Sequence, residues 1–190
     1  TGELYLKEYN GNKIKVEVSG KHREKVRVGQ EGDTLVLESI GRVQDREITV
    51  SYPKKTEFEE ASVDVVAGTV NLDDNFYAKK LEVSVAAGEF TNDSTITAEK
   101  AELTVGTGNI DLENLKVQNL EADCGIGNID LGIEGKEKDY DYEISCAAGA
   151  IDIGDSSFSG LGHEKKISNP GSSGKMTFDC GVGNITVDFE

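Results

Sequence analysis

Three kinds of side chain recur along this chain at spacings that could support chemistry: carboxylates, cysteines and asparagines. The carboxylates come in rows. Glu82, Glu102, Glu121 and Glu143 follow one another about twenty residues apart, and so do Asp111, Asp130 and Asp152. Stacked carboxylates attract cations, whether a divalent ion, a basic peptide or a basic region of another protein, and raise encounter rates with such partners. Cys124, Cys146 and Cys180 show no CxxC spacing, and His22 and His163 are isolated, so a zinc site has no support. There is no Gly-rich phosphate loop with Lys and no Ser nucleophile elbow, and a Cys–His or Ser–His pair would need chance proximity. Near-equivalent acidic rows single out no catalytic pair. The expectation is a protein without enzyme activity, cofactor or resident metal.

Calcium needs a stricter test. Gly106-Thr107-Gly108-Asn109-Ile110-Asp111-Leu112 superficially resembles a calcium-binding β-roll repeat. Its Asp stands three residues after the glycine, one too far, and the period is near twenty, not nine.

That period is the organising feature. Six segments align on a glycine: Gly68, Gly88, Gly108, Gly127, Gly149 and Gly183, spaced by 20, 20, 19, 22 and 34 residues. Within a copy apolar and polar residues alternate, as in Leu103/Val105 and Ile110/Leu112, the pattern of strands with one buried face. A twenty-residue coil cannot bury its apolar edge alone, but stacked coils bury a continuous core. The reading is an all-β solenoid whose equivalent residues form ladders. One inward ladder would hold Val65, Val85, Val105 and the three cysteines. A second would hold Val63, Val83, Leu103, Ala122, Ile144 and Phe178, and a third Val70, Phe90, Ile110, Ile129, Ile151 and Ile185. Each Cys fills a slot that Val fills elsewhere and reads as a small buried hydrophobe; a Cys124–Cys146 bridge between stacked neighbours is the alternative. Asn109, Asn128 and Asn184 follow the corner glycine, where Asn tolerates turn geometry and can hydrogen-bond along a ladder.

Two stretches depart from the period. Residues 1–58 hold short alternating runs outside the glycine frame and read as irregular strands capping the solenoid 59–190. The 34-residue gap places an insertion at 156–174, rich in Ser and Gly, expected as a protruding loop.

The 190 residues carry 36 acidic and 20 basic side chains, a net charge of −16. Residues 1–60 hold 12 acidic and 11 basic of these, leaving 24 and 9, a net of −15, for 61–190. Such acidity excludes a free-standing nucleic-acid binder or direct attachment to an anionic membrane surface. No stretch approaches the roughly 18 apolar residues of a membrane span. The start at Thr1-Gly2, without Met, suggests a segment upstream.

Ile48-Thr49-Val50-Ser51-Tyr52-Pro53, the repeated Gly-x-Gly-Asn-Ile-x-[Leu/Val] steps and the final Cys180-to-Phe189 run resemble the bacterial "putative adhesin" family, a domain of unknown function. The resemblance covers roughly residues 30–190. It implies a right-handed, single-stranded β-helix-like domain outside the cytoplasmic membrane, often behind an N-terminal anchor, with some relatives found beside envelope-stress signalling. It carries over no binding residues. The functional expectation is a surface adhesin or binding module for a protein, peptide or glycan. Its alternative is an envelope-stress regulatory module that captures cationic peptides or a membrane-protein partner through its acidic face. The candidate face comprises Glu82, Glu102, Glu121, Glu143, Asp111, Asp130 and Asp152.

Overall fold

A computed structural model describes residues 2–39, 46–159 and 162–190. The strands are β1 (Glu3–Tyr9), β2 (Lys15–Gly20), β3 (Val26–Glu31), β4 (Thr34–Ser39), β5 (Arg46–Pro53) and β6 (Glu57–Val65). There follow β7 (Thr69–Leu72), β8 (Phe76–Val85), β9 (Glu89–Val105), β10 (Asn109–Cys124) and β11 (Asn128–Ile133). The last are β12 (Tyr140–Cys146), β13 (Ala150–Ile153), β14 (Ser156–Ser159), β15 (His163–Ile167), β16 (Gly174–Cys180) and β17 (Asn184–Phe189). The fold is all-β and solenoid-like.

Short alternating runs, broken by paired polar residues such as Glu113-Asn114 and Gln118-Asn119, produce the coils. In β10 the side chains of Ile110, Leu112, Leu115, Val117, Leu120, Ala122 and Cys124 are buried, and all but two of the others are exposed. Parallel in-register pairing then stacks like on like. Val65 pairs with Val85, Val85 with Val105, and Val105 with Cys124; Val70 pairs with Phe90, Phe90 with Ile110, and Ile110 with Ile129. The coil edges approach very closely at the corner. A Cβ on Gly127 would overlap the carbonyl oxygen of Gly108, the acceptor for the N–H of Asn128 at 3.2 Å. Gly183 meets Gly127 in the same way. The corner glycine is therefore demanded by backbone-to-backbone contact between coils.

The coil order differs from the chain order. β16 lies between β10 and β12, and β17 between β11 and β13, so the last coil of the chain fills the penultimate slot. The inward ladder thus runs Val105, Cys124, Cys180, Cys146. Cys124 and Cys146 are not stacked neighbours, which removes the bridge expected as the alternative. All three cysteines are free and buried, and the Sγ of Cys124 and Cys180 donate to the carbonyls of Gly127 and Gly183 at 3.0 Å.

The 156–174 insertion is not a plain loop. Its β14 pairs antiparallel with β13, and its β15 pairs antiparallel with β12, closing the end of the rod; positions 160 and 161 lie outside the described residues. Only after capping that end does the chain re-enter the stack as β16. At the other end β1 joins the parallel ladder between β5 and β7, and β2 pairs antiparallel with β5. Tyr52 and Phe76 fill the core there, and the half-buried Phe58 ring stacks on Phe76 at 5.1 Å. The β3–β4 hairpin forms a separate two-stranded sheet.

Candidate functional site

The seven candidate carboxylates do not form one face. Glu82, Glu102, Glu121 and Glu143 point outward from strands before the corner; Asp111, Asp130 and Asp152 lie on strands after it. The inserted coil also interrupts both rows. Glu121 pairs with Thr177, which pairs with Glu143, and Asp130 pairs with Thr186, which pairs with Asp152.

The first row is largely neutralised. Lys80 lies 3.6, 3.2 and 3.7 Å from carboxylates of Glu60, Glu82 and Glu102, and Lys100 also bonds Glu102. Hydrogen bonding from Lys100 holds the Glu102 carboxyl below its ordinary value. At the far end Glu143 takes Lys166 and Lys175, each at 2.9 Å, and these bonds lower its pKa to about 2. Position explains this chemistry: Lys80 and Lys100 stand two residues before Glu82 and Glu102, on the same face of the strand.

Asp111 and Asp130 are direct register partners, and their surroundings are different. They border an open depression of about 350 Å³ whose polar lining also includes Glu113, Asn114, Asp188 and Glu190. No Lys or Arg is among its lining residues. Glu113 sits where the register of β10 shifts against both neighbouring coils, and its N–H donates at 2.9 Å to Oδ1 of the buried Asn92. Gly132, the register partner of Asp188, has no side chain to fill the space. Glu190 is held by its N–H to the carbonyl of Ile133 at 3.0 Å. Stacked carboxylates at about 5 Å repel by somewhat under 1 kcal/mol per contact in water, a cost that a cationic ligand would relieve.

A third group was visible only as part of a mixed row. Asp123 and Asp179 are register partners; burial first, then Glu121 and Asp179, raise the Asp123 pKa. On the post-corner face the Asn ladder forms as anticipated. Asn128 donates to Asn109 at 3.2 Å and Asn184 to Asn128 at 3.1 Å. Among the described residues no group of three or more His, Cys, Asp or Glu is arranged to hold a metal ion. No helix there is long and apolar enough to cross a membrane.

Sequence reasoning missed Glu113, Asp188 and Glu190. Asp188 had a signal, since it follows Gly183 by five residues as Gly132 follows Gly127. Glu113 carried the same signal, since it follows Gly108 by five residues and continues the alternation of Asp111.

The Toastrack DUF4097 family model matches residues 3–161, most of the chain. The chain belongs to the Toastrack DUF4097 family. The match spans β1 through β14 and so includes Asp111, Asp130 and Glu113 of the depression. Two solved structures are similar to this Toastrack chain. A "putative adhesin" of Bacteroides fragilis is 17% identical, covering 98% of this chain and 88% of its own, with a TM-score of 0.49. A "putative cell adhesion protein" of Clostridium sporogenes is 16% identical, covering 100% and 88%, with a TM-score of 0.41. No curated protein matches this Toastrack chain.

Proposed function

We propose that this chain is a non-enzymatic, extracytoplasmic binding module of a bacterial envelope protein, with an adhesin-like role. Its contact for a cationic partner is the depression at Asp111, Asp130 and Asp188. The observation that carries this reading is the contrast between the two acidic faces. Lysines neutralise Glu82, Glu102 and Glu143, whereas the depression gathers five carboxylates with no basic residue in its lining. A basic side chain entering it would gain charge-assisted hydrogen bonds and relieve the repulsion between stacked carboxylates. A segment ahead of Thr1 that anchors the module, and a right-handed wind of the coils, the hand favoured by parallel crossovers, belong to the same proposal. A regulatory module that captures cationic peptides would use the same depression.

The test is calorimetric titration of the chain with oligolysine over a range of salt. Affinity should fall steeply as NaCl rises, and D111N/D130N/D188N should weaken it by more than E82Q/E102Q. Salt-independent binding, or equal effects of the two variants, would refute the assignment.

A further inference from the structure

The β3–β4 hairpin is an unusual element for a stable fold. An isolated two-stranded hairpin is marginal in water and needs a third strand or a packed face. Its register places Val26, Val28, Leu35 and Leu37 on one side and Arg27 and Glu38 on the other. Val28 and Leu35 are 49% and 36% exposed, so the apolar side is incompletely covered. The base is nevertheless fixed. The buried Arg46 donates to the His22 carbonyl at 3.4 Å and bonds the hydroxyl of Ser39, gripping both ends of the hairpin segment. Among the described residues β3 pairs only with β4, leaving its other edge free. The strand and the turn before it carry Arg23, Lys25 and Arg27 against Glu24 and Glu31, with Arg27 3.9 Å from the exposed Glu38 across the hairpin.

The rod offers a complementary edge. Its other terminal strands, β2, β14 and β15, are antiparallel additions of 6, 4 and 5 residues. β6 instead has nine residues, continues the parallel ladder and, among the described residues, pairs only with β8. Its inward Phe58, Ala61 and Val63 are only half-buried, so the core is open beside this edge. Its exposed side chains include Glu57 and Asp64, together with Glu59 and Glu60, which already pair with Lys79 and Lys80 at 2.8 and 3.6 Å.

We infer that the β3 edge of one copy adds to the β6 edge of a second copy. Adding the hairpin there extends the ladder, sets its apolar side against the open core and brings Lys25 and Arg27 toward the β6 carboxylates. The contact is heterologous, since hairpin meets edge and not hairpin, so it builds closed rings or open chains of copies. An association of β6 with a second β6 is disfavoured, because it would set carboxylates against carboxylates.

Sedimentation equilibrium across a range of concentrations tests this. Reversible association that weakens with salt is expected. K25E/R27E and E57K/D64K, each first shown by circular dichroism to be folded, should raise the dissociation constant about tenfold or more. Mixing the two variants should restore association, because each reversed surface then finds its complement. D111N/D130N/D188N should leave it intact, which separates this contact from the depression. A chain monomeric at every concentration would overturn the inference, as would charge reversals without effect or a mixture that stays dissociated. Loss of association in D111N/D130N/D188N, or oligolysine protecting the β6 amides from hydrogen exchange in a monomeric chain, would overturn it too.

Discussion

Substituting Gly127 by Ala tests the coil stacking at its tightest point. The new Cβ would overlap the Gly108 carbonyl oxygen and approach Cγ1 of Val105 to 2.5 Å, and neither can give way freely. The oxygen accepts the Asn128 N–H, and Val105 is a core residue of the inward ladder. Overpacking a filled core costs about 1–3 kcal/mol, and weakening the Asn128 bond adds about 1 kcal/mol. The total of about 2–4 kcal/mol is a large share of the ~5–15 kcal/mol that holds a domain together. At about 2–4 °C per kcal/mol for a chain of this size, G127A should unfold roughly 5–15 °C lower than the parent. Gly29→Ala is the control, because nothing lies within 4 Å of the added Cβ and φ is not in the left-handed region. It should stay within about 0.5 kcal/mol of the parent. Urea and thermal unfolding followed by circular dichroism measure both. If the two variants unfolded together, the corner glycine would not be set by close approach.

The titrating groups give predictions of opposite sign. Asp123 has a raised pKa, so the folded chain holds that proton more tightly; its ionisation costs stability as pH rises through the folded value. D123N should therefore stabilise the protein at neutral pH and lose its advantage in acid, as denaturant midpoints at several pH values would report. Glu143 is the reverse case. Its contribution is present above the ordinary carboxylate range and is lost as pH falls toward about 2, so E143Q should flatten the acid limb of the stability curve. Burial first raises the Cys180 pKa to about 12, so a water-soluble disulfide reagent should find the thiol only in denaturant. C180V should cost less than about 1.5 kcal/mol, and C180S more, since its hydroxyl is polar and buried.

The stacked core could be read in the sequence because parallel in-register pairing repeats the same residue type at each period. Val63, Val83 and Leu103, for instance, lie one above another. Coil order could not be read, and the reason is the same repetition. The coils of Cys146 and Cys180 present the same apolar slots, so nothing local says which one lies against Cys124. The 34-residue gap was the only sign that the chain leaves the rod and returns. The strands inside 156–174 were hidden because β15 is an end cap, with His163 to Lys166 all exposed and no buried face to impose alternation. In the candidate site, the carboxylates followed the repeat and were visible. Their neutralisation by Lys80 was half visible, since Glu82 is its neighbour along the strand but Glu60 and Glu102 meet it only across coils.

Coil order also bears on the acidity. With the coils in chain order, Glu121 would lie against Glu143 and Asp130 against Asp152. The inserted coil sets Thr177 and Thr186 between these pairs and introduces one new like-charge contact, Asp123 against Asp179. Two contacts are thus removed for one created, a net gain of somewhat under about 1 kcal/mol at the spacing of paired strands in water. That is too little to choose the order against a core of this size, so packing and the antiparallel cap decide it. The charges have a narrower consequence. Of the two aspartate pairs left in register, Asp123–Asp179 lies beside Glu121 and is partly buried, whereas Asp111–Asp130 opens onto a depression with no lysine. A solvated acidic coat needs no such division. Lysines pair with Glu82, Glu102 and Glu143, whereas no lysine or arginine lines the depression at Asp111 and Asp130, and the proposed cationic contact rests on that difference.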